Sequence, residues 1–276
     1  MNPLFNWDAK VVTNTNPVKK NRQVEKRNFP SHPPRSPSQK TSMTLDRVIS
    51  RFGLASRSVA AEWIESGRVR VNGKIERDRE RWIRIRVDRV SVDQQEISEA
   101  TKIYVMLNKP THVVTSYGDP QGRKTIYDYL QDLNGWVFPV GRLDKDTSGL
   151  LLLTNDTEFG NRLTDPQSKV IKKYIVKVNA ILSGEELNRL RRGIEIEPGV
   201  ITMPCGIQPL RQTEKYLWFE VSLVEGKNRQ IRRMVEALGY KVIKLVRVEI
   251  GPLRLGQLGV GKWRMLTRAE VKALAG

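Results

Sequence analysis

The chain has 276 residues, of which 48 are Lys or Arg and 30 are Asp or Glu, so its formal net charge is +18. This excess of cations makes a polyanion the first partner to consider, and a hydrophobic fraction of 39% is sufficient for one or two folded domains. The single cysteine, Cys205, excludes an intrachain disulfide and a cysteine-based zinc site, and two histidines are too few for a His-rich metal centre.

Three further classes of protein are disfavoured by the composition. No apolar run approaches the roughly 20 residues of a membrane-spanning helix. The first residues lack the apolar region of a signal peptide, so we expect a cytoplasmic protein. One of the two histidines, His32, lies in a proline-rich stretch, which disfavours Ser-His-Asp catalysis. We expect neither a metal nor a cofactor.

Residues 1–42 are polar, basic and interrupted by prolines. They carry eight Lys or Arg and two Asp or Glu, a net charge of +6 (8 − 2). Such a segment buries too little apolar surface to offset the entropy of ordering it. We predict a disordered basic arm that strengthens RNA binding without belonging to the site. An organelle transit peptide is the alternative.

Residues 43–98 have the pattern of a small separate module. Apolar residues at helical spacing over 45–52 and 59–64 predict two helices, the second capped at its N-terminus by Ser56. A strand over 69–71 and an Asn-Gly turn follow. Cations cluster around the helices and the turn, which indicates phosphate contacts or, alternatively, an ordinary solvated face: Arg47, Arg51, Arg57, Arg68, Arg70 and Lys74.

Strand-like and helical patterns alternate over residues 101–276. This alternation predicts an α+β domain with a largely antiparallel sheet flanked by helices. Ser183 and Thr267 each begin a capping box that opens a helix. Strands are predicted over 103–107, 113–115, 136–140, 150–153, 174–178 and 217–223.

The stretch over residues 141–154 is the most informative part of the sequence. A glycine opens it, Asp144 and Asp146 lie in its polar middle, and an apolar run closes it, which predicts a turn leading into a buried strand. Asp144 is flanked by Arg142 and Lys145, and a carboxylate held by cations stays ionised and can act as a nucleophile. Asp146 is its rival, with capping of the turn as the alternative role.

Two other segments place polar groups beside an apolar face. A helical apolar stripe is formed by Ile231, Met234, Val235 and Leu238. Arg229 and Arg232 belong to a row of arginines along its border, and we expect Arg229 to contact RNA; an ordinary solvated face also explains this row.

Upstream of this helix, Lys173 and Tyr174 open an alternating strand. Here the ring is either a core residue or a surface on which a base stacks while the lysine meets phosphate.

Residues 43–98 resemble the S-four type of RNA-binding module, first seen in a ribosomal small-subunit protein. The resemblance rests on residues 45–57 and 64–74, and it implies binding of structured RNA through the helices and the following turn. The segment over residues 77–89 departs from the pattern, because it is rich in arginine where the module more often has a Pro-Gly-Asp turn.

Residues 43–276 as a whole resemble the pseudouridine synthases, and most closely the RsuA-like branch, which acts on bacterial ribosomal RNA. The motifs that carry the resemblance occur in the order of the family: residues 107–110, 141–154, 173–174, 225–234, 244–248 and 261–264. The resemblance implies an enzyme that isomerises a uridine of ribosomal RNA without a cofactor. It also implies that the protein is a monomer. His112 stands where many members have glycine.

The resemblance also implies roles for individual residues. Asp144 matches the catalytic aspartate of the family, and the resemblance leaves open whether it attacks the ribose or the base. Tyr174 matches the tyrosine that stacks on the flipped base. Arg232 matches the basic residue that pairs with the aspartate, and Arg142 matches the residue that fills the space of the flipped nucleotide. Leu245 is expected to line the uracil pocket.

Two other functions remain compatible with the residues alone. The charge and the module at 43–98 suffice for a non-catalytic ribosome-assembly factor, and the arm suffices for DNA binding, because phosphate contacts are blind to sequence. Neither alternative gives a role to Asp144.

Overall fold

The computed structural model describes residues 42–98 and 101–275. Apart from Ser42, the predicted disordered arm at 1–42 lies outside these residues. Within them, no helix combines the length and the apolar character needed to cross a bilayer.

The N-terminal module packs two helices against short strands. It comprises β1 (Ser42–Thr44), α1 (Leu45–Arg51), α2 (Arg57–Glu65), β2 (Val69–Val71), β3 (Lys74–Ile75), β4 (Trp82–Arg84), β5 (Val90–Val92) and β6 (Gln95–Glu96). Strands β3-β2-β5-β6 form one sheet, and β1 pairs with β4. As predicted, the Ser56 hydroxyl accepts a hydrogen bond from the amide of Val59 at 3.2 Å and so caps α2. Asn72 and Gly73 form the predicted turn with φ of 51° and 82°.

The rest of the chain is built around one large sheet. Its strands are β7 (Tyr104–Lys109), β8 (Phe138–Pro139), β9 (Ser148–Thr154), β10 (Lys172–Val178), β13 (Gly206–Gln212), β14 (Leu217–Leu223), β15 (Val242–Ile250), β16 (Leu253–Arg254) and β17 (Trp263–Met265), and a separate hairpin contains β11 (Glu195–Glu197) and β12 (Val200–Ile201). The main order is β13-β14-β10-β15-β9-β7-β17. Only β15 and β9 pair in parallel, so the predicted largely antiparallel sheet is confirmed.

Four helices accompany this sheet, together with 3₁₀ turns at Ile126–Tyr129 and Pro166–Ser168: α3 (Thr157–Thr164), α4 (Gly184–Arg192), α5 (Gln230–Glu236) and α6 (Arg268–Ala275). Both predicted capping boxes are present. The Ser183 hydroxyl accepts from the amide of Glu186, and the Thr267 hydroxyl accepts from the amide of Glu270, each at 3.2 Å.

The apolar residues divide the sheet into two faces. On the first face, α4 and α5 cover β10 and β14, and Leu151 and Leu153 of β9 pack around the 3₁₀ turn at Ile126–Tyr129. Tyr174 packs against both of these clusters, which therefore share a face. Leu150 and Leu152 alternate to the second face, where α3 and α6 cover them.

One local prediction was wrong, and one helix was missed. Residues 113–115 make only an isolated bridge between Val114 and Thr125 and no strand, because hydrogen bonds to neighbouring loops hold this segment. Helix α3 was not predicted; it begins where the Asp156 carboxylate accepts hydrogen bonds from the amides of Glu158 and Phe159.

Candidate active site

The loop that carries Asp144 lies between β8 and β9 on the first face of the sheet. Gly141 begins it with a φ of 74°, and the amide of Thr147 closes a turn on the carbonyl of Asp144 at 3.0 Å. Upstream of this turn, the Thr115 hydroxyl donates to the carbonyl of Leu143 at 2.8 Å. The predicted turn into a buried strand is therefore present, and both sides of Asp144 are anchored.

A buried lysine holds the same loop from beneath. Lys109 is fully buried, and its ammonium group donates to the carbonyls of Pro110 and Thr147, each at 2.9 Å, and to those of Asp144 and Lys145 at 3.3 and 3.4 Å. Burial lowers the pKa of Lys109 to about 8, although the charges of Asp144 and Asp146 oppose this shift. The sequence interpretation quoted Lys109 only as part of a motif and missed this function.

Gly149 allows β15 to approach the loop. Its φ is 102°, and a Cβ atom built on it would lie 2.2 Å from the carbonyl oxygen of Arg247 in β15. A side chain at this position is therefore incompatible with the parallel pairing in which Arg247 lies opposite Gly149. Because the two strands meet here, Leu245 is brought next to the loop that carries Asp144.

A cavity of about 480 Å³ opens at this junction. The sequence interpretation had singled out Arg142, Asp144, Tyr174, Arg229 and Leu245, and all five line it. The remaining lining residues belong to the Asp144 loop, to β14 and to the segment that leads into α5: Gly141, Leu143, Thr147, Leu223, Glu225, Gly226, Lys227, Asn228, Gln230 and Ile231.

Tyr174 lies at the centre of the sheet beside this cavity. In β10 it is paired on one side with Val221 and on the other with Arg247. Its half-buried side chain packs between the two apolar clusters of the first face, so the ring is held in position while it lines the cavity.

Arg232 contacts the backbone of the Asp144 loop. The expected pair with the Asp144 carboxylate is not formed among the described residues; the guanidinium donates to the carbonyls of Asp146 at 2.8 Å and of Val242 at 3.2 Å. Its Nε is buried and has no hydrogen-bond partner in the part of the chain that the structure describes. Burial, followed by the charge of Arg229, lowers the pKa of Arg232, while Asp146 and Asp144 oppose that shift. The arginine thus fixes the loop and leaves one donor free.

Neither neighbouring cation holds the Asp144 carboxylate, contrary to the sequence interpretation. Within the described residues, Arg142 and Lys145 form no ion pair with it, and both side chains are exposed. The side chain of Asp146 points to His112, whose Nδ1 lies 3.4 Å from one of its carboxylate oxygens. His112 has a φ of 63°, a conformation that favours glycine. Asp144 lines the cavity and Asp146 does not.

The predicted RNA-binding residues fall into different environments. Lys173 does not line the cavity, because it alternates to the second face of the sheet and forms ion pairs with Glu220 and Glu249. In the N-terminal module, Arg57 pairs with Asp46 and Arg68 with Asp93. Three other cations of the module are exposed or half-buried around its helices and turn: Arg47, Arg70 and Lys74. Arg51, also predicted, lies in α1 and is half-buried.

A polar network that the sequence interpretation missed borders the cavity at the start of α5. The Gln230 side chain donates to Glu225 Oε1 at 2.6 Å and accepts from the amide of Lys227 at 3.0 Å, and Glu225 also accepts from the amide of Met203 at 2.8 Å. Lys227 forms an ion pair with Glu225. This network fixes the backbone that leads to Arg229, which has a φ of 48°.

Comparisons with known proteins identify both parts of the chain. Residues 103–237 match the family model described as RNA pseudouridylate synthase, and residues 43–80 match the S4 domain. An uncharacterized RNA pseudouridine synthase of Aquifex aeolicus (strain VF5) is 40% identical over 231 residues, covering 83% of this chain and 92% of the relative. The ribosomal large subunit pseudouridine synthase B of Bacillus subtilis (strain 168) is 40% identical over 235 residues, covering 83% and 94%.

A solved structure gives the same result. The crystal structure of a pseudouridylate synthase superimposes with a TM-score of 0.60 at 30% identity, covering 84% of this chain and 99% of the other. The family, the N-terminal module and the fold class that the sequence predicted are thereby confirmed. The chain belongs to the RNA pseudouridine synthase family.

Proposed function

We propose that this enzyme converts a uridine of large-subunit ribosomal RNA into pseudouridine, with Asp144 as the nucleophile on a flipped-out nucleotide. The bond that the carboxylate forms with the nucleotide breaks again before the product leaves, so the aspartate is regenerated. The proposal depends on one observation, that Asp144 and Tyr174 line the same cavity. The choice of RNA follows the Bacillus subtilis relative, which is named a ribosomal large subunit pseudouridine synthase. An S4 domain at residues 43–80 supports binding of structured RNA.

The reaction requires a base outside its helical stack. The C1′–N1 bond of the uridine breaks, the uracil turns within the cavity, and a C1′–C5 bond forms while C5 loses a proton and N1 gains one. The reaction is an isomerisation, so it consumes neither an oxidant nor a second substrate. Flipping the nucleotide costs a few kcal/mol, which stacking on Tyr174 and contacts to the RNA backbone offset.

Each lining residue has a proposed part in this scheme. The Asp144 carboxylate attacks the nucleotide, and the ring of Tyr174 supports the uracil. Leu245 forms the apolar wall of the uracil pocket, and the exposed Arg142 occupies the gap that the flipped nucleotide leaves in the RNA. Arg232 fixes the loop through the carbonyl of Asp146, and the charge of Asp144 acts to raise the pKa of its guanidinium.

We also propose where the domains end and where the enzyme works. The RNA-binding module extends over 43–98 and the catalytic domain over 101–276, the first contributing Arg47, Arg51, Arg57, Arg68, Arg70 and Lys74 to RNA binding. The protein acts as a monomer in the cytoplasm, where ribosomal RNA is modified.

Release of tritium from RNA labelled at C5 of uridine tests the function. We expect release from a large-subunit transcript and not from a small-subunit transcript. Mapping the pseudouridines of ribosomal RNA in a strain that lacks the gene then identifies the modified position. An unchanged map together with no release from either transcript contradicts the proposal and favours an assembly factor.

A further inference from the structure

Among the described residues, no helix packs on the second face of the sheet over β10, β13 and β14. Val176, Phe219 and Val221 point to the first face, where α4 and α5 bury them. The residues between them alternate to the opposite face and remain half-buried or exposed. The helices that cover the second face, α3 and α6, pack over Leu150 and Leu152 instead.

Four residues form a row across this uncovered face. Lys244 of β15 is paired with Lys177 of β10, Lys177 with Trp218 of β14, and Trp218 with Arg211 of β13. We name Lys244, Lys177, Trp218 and Arg211 the cationic row. Because neighbouring strands lie about 4.8 Å apart, the row extends over about 14 Å, the rise of about four stacked nucleotides of one strand.

Aromatic rings hold two of its cations in place. The Lys177 ammonium lies 3.8 Å from the ring centroid of Tyr216 and 4.7 Å from that of Trp218. The Arg211 guanidinium, on the strand at the far side of Trp218 from Lys177, lies 5.4 Å from the ring centroid of Trp218. Cation–π attraction orients these groups without neutralising them. The row is therefore preorganised for an anion.

The charge of the row is not compensated by carboxylates. In the part of the chain that the structure describes, Lys177, Arg211 and Lys244 form no ion pair. The carboxylates of Glu220 and Glu249 are already bound by Lys173, and Glu249 also by Arg254. Lys177 and Lys244 are directly opposite each other, and like charges in that register destabilise a sheet. A polyanion on this face removes that cost.

We propose that the cationic row binds the phosphate backbone of RNA on the face of the sheet opposite the catalytic cavity. The proposal rests on the function proposed above, because it takes a second segment of the same ribosomal RNA as the occupant. Tyr174 and Lys177 differ by three positions in β10, so they lie on opposite faces. An RNA that enters the cavity therefore reaches the row only by continuing around the edge of the sheet.

The experiment compares two triple variants in the Asp144→Asn background. One is K177Q/R211Q/K244Q, and its control is K169Q/R268Q/K272Q, which removes the same charge from three exposed residues elsewhere. Binding of a large-subunit ribosomal RNA transcript is measured over a series of salt concentrations, after thermal unfolding has shown both variants to be folded.

Loss of three phosphate contacts makes the slope of log K against log salt shallower by about 2, at roughly 0.7 per contact. We expect this change in the row variant, with weaker binding, and the original slope in the control. Equal slopes and affinities of the two variants overturn the proposal. The row variant is also prepared with Asp144 intact and assayed on a short hairpin that contains the target uridine. We expect it to release tritium at the rate of the unsubstituted enzyme. If the proposed function is wrong, the unsubstituted enzyme releases no tritium from this hairpin. The comparison of RNA binding by the two triple variants remains valid in that case.

Discussion

The ammonium group of Lys109 lies 3.3 Å from the carbonyl oxygen of Asp144 and 2.9 Å from that of Thr147. A charge buried beneath the loop therefore fixes the backbone at the proposed nucleophile and just after it, while Asp144 still lines the cavity. This arrangement explains how a lysine is accommodated at a fully buried position, where lysine is rarely found.

Removing this anchor is expected to impair catalysis more than binding. In Lys109→Met, four carbonyls lose their donor, which costs about 1–3 kcal/mol of unfolding free energy. A displacement of the loop by about 1 Å lowers kcat about 100-fold. The measurement is tritium release together with RNA affinity. Lys145→Met, on the exposed neighbour, serves as the control and keeps its activity; equal kcat in the two variants would show that Lys109 does not position the loop.

The buried lysine also predicts a pH dependence of stability. Its pKa is about 8 in the fold and 10.5 as its ordinary value, so the unfolded chain holds the proton more tightly. Between these values the unfolded state binds more protons, and stability rises with pH. The free energy of unfolding of the unsubstituted protein should therefore increase relative to Lys109→Met between pH 8 and 10.5. Denaturant titrations across this range check it, and a constant difference between the two proteins contradicts the burial of a protonated amine.

Gly149 should tolerate no side chain. In Gly149→Ala the new methyl group would lie 2.2 Å from the backbone oxygen of Arg247, which breaks the contact between β9 and β15. We expect a loss of more than about 3 kcal/mol in the free energy of unfolding. Gly122→Ala is the control: its φ is also positive, at 66°, but no atom lies within 4 Å of the new Cβ, so its cost stays at about 1–2 kcal/mol. Similar losses in both variants would mean that the strand contact is not tight.

Arg232 is expected to act on the chemical step. A glutamine is too short to reach the carbonyls of both Asp146 and Val242, so Arg232→Gln should lower kcat by about 10²–10³ with little change in KM. Arg233→Gln is the matched control, because this neighbouring arginine pairs with Glu197 instead. Single-turnover rates at saturating RNA separate the two effects. An increase in KM at constant kcat would make Arg232 a binding residue.

The sequence was sufficient for the elements that depend on local chemistry. The Ser56 and Ser183 caps, the Asn-Gly turn and the strand after Asp144 all follow from short-range hydrogen bonds and apolar patterning, and the structure contains each of them. The order of the motifs identified the family, and Asp144 and Tyr174 do lie at one cavity.

The remaining features depend on contacts that no local pattern encodes. Lys109 is buried because three carbonyls of a distant loop and that of the adjacent Pro110 surround its ammonium group, whereas lysine is ordinarily exposed. Arg232 binds a backbone carbonyl instead of the carboxylate, a choice that follows from the position of the loop. Lys173 lies on the face of the strand opposite Tyr174. There it forms ion pairs with Glu220 and Glu249, both of which are far away in the sequence.

The central claim is that Asp144, and not Asp146, is the nucleophile. In Asp144→Asn and Asp146→Asn, a carboxylate is replaced by a nearly isosteric amide at two positions of the same loop. Tritium release from C5-labelled large-subunit RNA therefore shows directly which carboxylate the reaction needs. We predict that Asp144→Asn releases no tritium while still binding the RNA, and that Asp146→Asn, whose side chain contacts His112 and does not line the cavity, remains active. Tritium release by Asp144→Asn at the rate of the unsubstituted enzyme would contradict the account.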